Sequence, residues 1–597
     1  MICADFRSYA ENLTSPLERY MACKAMARGY AEEKNSNKAR HNQARAFCGA
    51  VIGAYWSAVC HAHGTTMKAK SYSGGFVALT AEAQTLATSL GELVASFPVE
   101  DAGFLIGSVY TVMLPDELRS SLGAFYTPPP LVSRLLDMAE QAGFDFAIGS
   151  AIDPACEGGA FLAPVALRMV FCAEKTGASP TWILKQLSKR LRGAEIDPFA
   201  AWMTRVLLDA ALIPLCMAAG RRLPDVVTVG DSLRQDFGVS FDLVVGNPPY
   251  GRVTLDEKMR KAYARSLFGH ANLYGLFTDL ALRLAKPKGG VVAYLTPTSF
   301  LGGQYFKELR RLLTTEATPI AFDLVSDRDG VFDDVLQETL LTTFGRISGN
   351  PPARVSVVVP KGLHAAQVGE IGTVRLDSSG GPWLLPRTAA DAAFMERIAS
   401  MAGRLASIGY SVSTGPLVWN RHKVQLRHKQ QKGALPIIWA ESVTSGRFSF
   451  TADRRNHVPF IAVTDEQPHL VAKHAVVLVQ RTTSKEQSRR LVAAVMPQSF
   501  VDKHGGAVVE NHLNMVLATK GVEPALQIAT IAALLNTSAV DRAFRCISGS
   551  VAVSAYELNA VPLPDKAALL VLEQMLLDDA PWVAIERYVA GLYGVAG

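Results

Sequence analysis

Over residues 1–115, apolar positions recur at three- and four-residue spacing with little strand-like alternation, which predicts a helical N-terminal region. From 116 to 350 the pattern changes, and short apolar runs alternate with helical stretches. The runs at 146–152, 191–196, 226–229, 241–245 and 290–295 are predicted strands. Each one leads into a polar or turn-forming pair: Asp153-Pro154, Asp197-Pro198, Gly230-Asp231, Gly246-Asn247 and Thr296-Pro297. Strands alternating with helices predict βαβ units and a parallel sheet. The carboxyl edge of such a sheet is where ligands bind. Breakers at Ser348-Gly349-Asn350-Pro351-Pro352 and Ser378-Ser379-Gly380-Gly381-Pro382 mark 351–390 as a connector. A second large unit with mixed strand and helix signals follows, over 391–597. No internal repeat or low-complexity tract is visible.

Composition narrows the class. The chain has 597 residues, of which 49% are hydrophobic and 19% charged, the profile of a globular protein with several cores. A net charge of +6 is compatible with a polyanionic partner without requiring one. The eight cysteines include no pair at CxxC spacing, so zinc ribbons and thioredoxin-like sites are not expected; reduced, buried thiols are. The first residues carry Asp5 and no apolar core, unlike a signal peptide. The longest apolar stretch, 206–219, is interrupted by Asp209 and is too short to span a bilayer. The expectation is a cytoplasmic protein without a membrane partner. Basic residues are dense between Lys24 and Arg45, as on a solvated helix face or a DNA-contacting one.

Four constellations carry chemistry. Asp153-Pro154-Ala155-Cys156-Glu157-Gly158-Gly159 follows a predicted strand and opens a helix. Its small residues let backbone approach a ligand, and the helix start offers free N–H groups. It is not the GxGxxG dinucleotide fingerprint. Glu195 ends the next strand, where an acid either accepts bonds from ribose hydroxyls or caps the turn. Gly230-Asp231-Ser232 ends a third, and its carboxylate suits an adenine amino group. Asn247-Pro248-Pro249-Tyr250 ends a fourth. Two successive prolines fix the backbone and remove donors, which leaves the Asn247 side-chain oxygen and a proline carbonyl as stiff acceptors. Two acceptors aimed at one –NH2 group hold both its hydrogens and leave the nitrogen lone pair for an electrophile. Tyr250 offers a flat face to a planar base. A proline-rich surface turn is the bland alternative for this tetrapeptide.

With these residues in order, the chain resembles the gamma-class, TaqI-like adenine-N6 DNA methyltransferases of restriction–modification systems, which use S-adenosylmethionine (SAM). Gly123-Ala124-Phe125-Tyr126-Thr127-Pro128-Pro129, ahead of Asp153, fits the motif this class carries upstream. The resemblance is strong over 119–346. It is weaker over 405–565, where Gly415-Pro416-Leu417-Val418-Trp419-Asn420 and Ser548-Gly549-Ser550 look like the family's recognition domain. It implies an α/β fold: a Rossmann-like SAM-dependent methyltransferase domain at 116–350 with a mostly parallel seven-stranded sheet. A helical N-terminal region would precede it and a mixed α/β DNA-recognition domain would follow at 391–597.

The resemblance also implies roles. Tyr126, Thr127, Asp153, Ala155 and Gly158 would line the SAM pocket, Thr127 lying against the methionine part. Glu195 would hold the ribose, Ile196 would pack on the cofactor's adenine, and Asp231 would read that ring's amino group, with Ser232 beside it in the cofactor site. Asn247 and Pro248 would bind the target amine, and Pro249 and Tyr250 would complete the catalytic corner. Phe332, in Gly330-Val331-Phe332, is the candidate second aromatic clamp, with Phe300 and Phe322 as nearby alternatives. Glu157 stands where many members of the family carry a small residue. No metal is implied. The implied partners are double-stranded DNA and, functionally, a cognate restriction endonuclease. Basic segments at 421–432, 454–455 and 481–490 are candidates for phosphate contact. Rival readings are a modification subunit served by a separate specificity subunit, an RNA or protein-glutamine methyltransferase, and a non-catalytic subunit that kept the fold.

Overall fold

The structure is a computed structural model. It describes residues 15–122, 126–326, 338–376, 378–483, 488–547 and 552–595, with the backbone alone at 120–122 and 392. The chain divides into two compact units, residues 1–297 with 311–369, and residues 298–310 with 370–597.

The first unit opens with the helices the periodicity calls for: α1 (Pro16–Glu32), α2 (Asn37–Ala62), α3 (Ala81–Val94) and α4 (Ala102–Met113). Ser36 and Thr80 cap α2 and α3 by accepting bonds from the backbone N–H groups of Ala39 and Ala83. α5 (Pro129–Gln141), α6 (Leu162–Lys175) and α7 (Pro180–Arg190) then pack on a sheet whose strands are β1 (Ala151–Asp153), β2 (Leu191–Glu195), β3 (Val227–Val229), β4 (Leu243–Gly246), β5 (Val291–Pro297), β6 (Thr318–Val325), β7 (Thr339–Gly345), β8 (Ala353–Lys361) and β9 (Ala365–Val374). Their spatial order is β9-β8-β6-β7-β5-β4-β1-β2-β3. β3, β2, β1, β4 and β5 pair in parallel, and β7 runs antiparallel between β5 and β6. All seven residues of β5 are buried, as expected of a central strand covered on both faces.

Three features differ from the sequence expectation. The sheet has nine strands where seven were expected, because β8 and β9 fall within the segment read as a connector. The breakers at 348–352 and 378–382 bracket that strand pair and do not mark a linker. β1 is only three residues long, because a turn at Asp145 takes the preceding apolar residues: its carboxylate and carbonyl accept bonds from the N–H groups of Ala147 and Gly149. The helical N-terminal region does not stand apart. α8 (Pro198–Ala211) buries Phe199, Trp202, Met203, Val206 and Ala210 in one core with α1–α4, while Ala201, Leu208 and Ala211 face the core of the sheet. A helix packed on two sides explains why this stretch is the longest apolar run. With Ile213–Ala219 it forms a pair bent by 64°, and no single helix among the described residues is long and apolar enough to cross a membrane.

In the second unit, strands Tyr410–Thr414, Leu513–Ala518, Val476–Gln480 and Ala493–Met496 form an antiparallel sheet in that order. Helices Ile528–Leu535, Ser538–Ile547, Lys566–Leu577 and Trp582–Leu592 share a core with it. A smaller five-stranded sheet encloses Leu417, Ile437, Trp439, Ile461 and Val508. Arg310 is fully buried in this unit, and its guanidinium donates to the carbonyls of Phe300, Gly303, Gly380 and Gly381. A buried charge so satisfied stabilises the turns it joins.

Candidate active site at the carboxyl edge of the sheet

The chain runs outward from β1 through β2 to β3, then returns to place β4 on the other side of β1. The reversal opens a crevice between the carboxyl ends of β1 and β4, the position where open α/β sheets bind ligands. Four neighbouring strands end there in Asp153, Glu195, Val229 followed by Gly230-Asp231, and Gly246-Asn247. With strands spaced ~4.8 Å apart, the row from Asp231 to Asn247 spans ~14 Å, the scale of an extended nucleoside ligand.

Hydrogen bonds tie these ends together. The Asp153 carboxylate accepts from the Ala155 N–H at 3.1 Å. Glu195 accepts from the N–H groups of Glu157 and Asp197, both at 2.9 Å, so it holds the glycine-rich loop and its own turn at once. Each of its oxygens keeps a lone pair for a hydroxyl donor. Ser232 donates to the Pro154 carbonyl at 2.6 Å and so joins the β3 loop to the β1 loop. Asp231 is half-buried and accepts from the Leu233 N–H at 3.0 Å, with Arg234 at 3.2 Å. Asn247 and Pro248 are buried. Gly246 leaves room for Asp153: a Cβ there would stand 2.7 Å from a carboxylate oxygen of that residue. Burial pushes the Asp153 carboxyl up to about 8, the Ala155 N–H opposing and the Glu195 charge adding to the rise. Burial likewise pushes Glu195 up to about 7, against the bonds from Asp197 and Glu157.

Glu157 has the left-handed backbone of φ +42°, uncommon for a side-chain-bearing residue. Both sides of its backbone are pinned, the N–H by Glu195 and the carbonyl by the Thr204 hydroxyl. Gly158 is required by close approach, since a Cβ would meet Tyr126 and Met203 at 2.6 Å. Tyr126 is buried against this loop and packs over Gly107 of α4. The Thr127 hydroxyl is buried and bonds to no described residue, so it is a donor open to a ligand. With Ala160 it lines a cavity of about 290 Å³ beside the glycine-rich loop. Ile196 is 58% exposed, an apolar face uncovered at the end of β2. Tyr250 lies edge-on to Tyr274, ring centres 6.0 Å apart, with its hydroxyl 3.4 Å from the Leu295 carbonyl. Burial raises its phenol well above the ordinary value, with the Glu157 charge adding to the rise.

The sheet edge therefore gathers every proposed cofactor and corner residue except Phe332, which lies outside the described residues, as do Gly123–Phe125 and Ser548–Ser550. The alternatives to Phe332 are both buried in cores: Phe300 packs on Trp383 and Phe322 on Phe344. A support that the sequence did not disclose is Asp197. It caps α8 by accepting from Phe199 at 3.0 Å, and it also receives Arg45 of α2 at 2.9 Å and the Tyr110 hydroxyl of α4 at 3.2 Å. Through the Asp197 N–H, the N-terminal helices thus reach Glu195.

The profile of the family described as Eco57I restriction-modification methylase matches residues 227–332. The Type II methyltransferase M.BsuBI of Bacillus subtilis is 25% identical over 390 residues, 64% of this chain and 73% of that one. The Type II methyltransferase M.PstI of Providencia stuartii is 25% identical over 356 residues, 57% and 68% of the two chains. Among solved structures, the Type IIL restriction-modification enzyme MmeI in complex with DNA superposes with a TM-score of 0.54 at 12% identity. The match covers 88% of this chain and 82% of that one, a likeness of fold. The resemblance to restriction–modification DNA methyltransferases, drawn from Asp153, Glu195, Asp231 and the Asn247–Tyr250 corner, is borne out by the family profile and the curated relatives together.

Proposed function

We propose that the chain transfers a methyl group from SAM to the N6 amine of adenine at a specific site in duplex DNA, as the modification enzyme of a restriction–modification system. The observation that carries this reading is the placement of the Asn247-Pro248 corner. It is buried at the crevice beside β1, with Gly246 bringing the Asp153 carboxylate against it. A base amine held there meets two fixed acceptors next to the row of carboxylates.

SAM supplies a methyl group on a positively charged sulfur. The residues present fit it. Thr127 offers an unpaired buried hydroxyl, Glu195 has lone pairs left for ribose hydroxyls, and Ile196 presents an open apolar face to a purine. Asp153 and Asp231 line the two ends of the same row. Asn247 and Pro248 would orient the amine and hold its hydrogens, so that its lone pair faces the electrophile; as the N–CH3 bond forms, the S–CH3 bond breaks with its electron pair left on sulfur as a thioether, and the nitrogen gives up one of those hydrogens as a proton to solvent. The amine of a paired adenine is out of reach in the duplex, so the base must be flipped, at a cost of a few kcal/mol offset by stacking on Tyr250. The second unit is the natural source of sequence choice, and protection from a cognate endonuclease is the natural consequence.

The deciding assay offers labelled SAM and purified protein three acceptors: duplex DNA, RNA and a release-factor-like protein. The expected result is label on adenine N6 of duplex DNA; label on RNA or on protein glutamine would overturn the assignment. Asn247→Ala should lower DNA methylation at least ~10³-fold while SAM and DNA binding persist. Turnover at the wild-type rate in that variant would remove Asn247 from the chemistry.

A further inference from the structure

The second unit carries a loop whose construction the reading above does not use. Between Trp419 and Gly433 stand five Lys or Arg residues and two His, with no acid. At its crest Val424 is 90% exposed, the highest value among the exposed large hydrophobic residues described. The loop is not slack. Two single-turn 3-10 segments, Trp419–Arg421 and Lys423–Gln425, precede a two-residue strand, Leu426–Arg427, on the edge of the five-stranded sheet, paired with Phe460–Ala462. Gln425 is held from three sides: its amide donates to the Ala462 carbonyl at 2.9 Å and to Gln467 at 2.8 Å, while its oxygen meets His422 at 2.8 Å. Arg427 folds back and donates to the carbonyls of Val424 and Leu426 at 2.8 and 2.9 Å, so its charge is used in building the turn. Trp419 anchors the base of the loop against Trp439.

A valine fixed in water by that many bonds gives nothing to folding, because its methyl groups stay hydrated. Its neighbours Arg421 and Lys423 are exposed cations. An apolar tip between cations, stiffened before any partner arrives, matches a surface that is anionic at its rim and apolar at one point within. The duplex groove is such a surface. Phosphates border it, and the apolar group exposed on its major-groove base edges is the thymine 5-methyl. We propose that the 419–433 loop docks on duplex DNA, with Val424 against a thymine methyl in the recognised site and Arg421 and Lys423 on flanking phosphates. The proposal rests on the DNA-methyltransferase reading and adds a specificity-determining side chain to it.

The test uses the full chain, labelled SAM and one long DNA fragment amplified either with dTTP or with dUTP in its place. Wild-type methylation of the thymine fragment checks the underlying reading by itself. Val424→Ala should unfold at the wild-type temperature and methylate the thymine fragment about 5- to 20-fold less efficiently. On the uracil fragment, wild type should fall to the level of the variant. Lys423→Ala should lower the slope of log binding constant against log salt by about one. Equal activity of Val424→Ala and wild type on thymine DNA overturns the proposal while leaving the enzyme's function in place. So does a deficit that persists undiminished on uracil DNA.

Discussion

Asp153 and Glu195 are 1% and 7% exposed at the sheet edge, whereas Val424 is 90% exposed at the crest of its loop. Both regions are stiffened by hydrogen bonds, yet in opposite senses. At the edge, polar groups are taken out of water and held by backbone N–H groups, so they are ready before a ligand comes but sit away from their ordinary ionisation. On the loop, polar groups and backbone hold an apolar one out in water. Groups that must act on a reacting atom gain from a dry, fixed setting. Groups that must sense a partner's surface gain from waiting at the outside. The first arrangement costs folding stability, and the second costs almost none.

Asp153 tests that contrast most severely. Its folded carboxyl titrates near 8 against an ordinary value near 3.8, so the folded state binds the proton more tightly. Its contribution to stability is full below about pH 4 and is lost as the pH climbs to about 8. Asp153→Asn should remove that slope and raise stability at pH 8 by roughly 1–3 kcal/mol, read by denaturant unfolding across pH. The same change should weaken SAM binding about 100-fold at pH 8, where the carboxylate is otherwise available to a cation. A variant both less stable and unimpaired in binding would break the contrast.

Arg45→Ala comes next in size. It removes the cation that fixes Asp197, and through Asp197 the Glu195 carboxylate. KM for SAM should rise about tenfold with kcat little changed, and Arg45→Lys should recover much of the loss. A fall in kcat alone would show that the helices act elsewhere.

Glu157→Gly is the smallest. The left-handed conformation costs a side-chain-bearing residue about 1–2 kcal/mol, and glycine adds about 0.4–1 kcal/mol of freedom to the unfolded chain. The variant should therefore gain about 0.5–1 kcal/mol in unfolding experiments. A loss would mean that the carboxylate of Glu157 stabilises the edge by more than its backbone strains it.

Much of the edge was legible because its residues are local signals: Asp153, Glu195, Asp231 and Asn247 each end an apolar run, and spacing along the chain is enough to find them. That these strands pair in parallel followed from βαβ alternation; their order across the sheet, with β4 returning to the far side of β1, did not. Strands β6 and β7 escaped because both are covered along nearly their whole length, so 318–325 and 339–345 show no apolar–polar alternation for periodicity to find. Strands β8 and β9 escaped because prolines and glycines bracket them. The bond from Arg45 to Asp197 joins residues 152 apart, and nothing local marks it. Phe332, chosen by motif, falls outside the described residues. Nothing in the sequence marks Val424; only its exposure distinguishes it from the many valines that lie in cores.

The twofold packing of α8 bears on how such a protein can change over generations. One side of that helix answers to the leading helices and the other to the sheet, and its cap, Asp197, answers to both. Leading helices borrowed from a relative would bring a mismatched face to Phe199, Trp202 and Met203 and a missing cation to Asp197. Residues 16–211 are thus expected to be inherited as one block, with recombination junctions falling outside it.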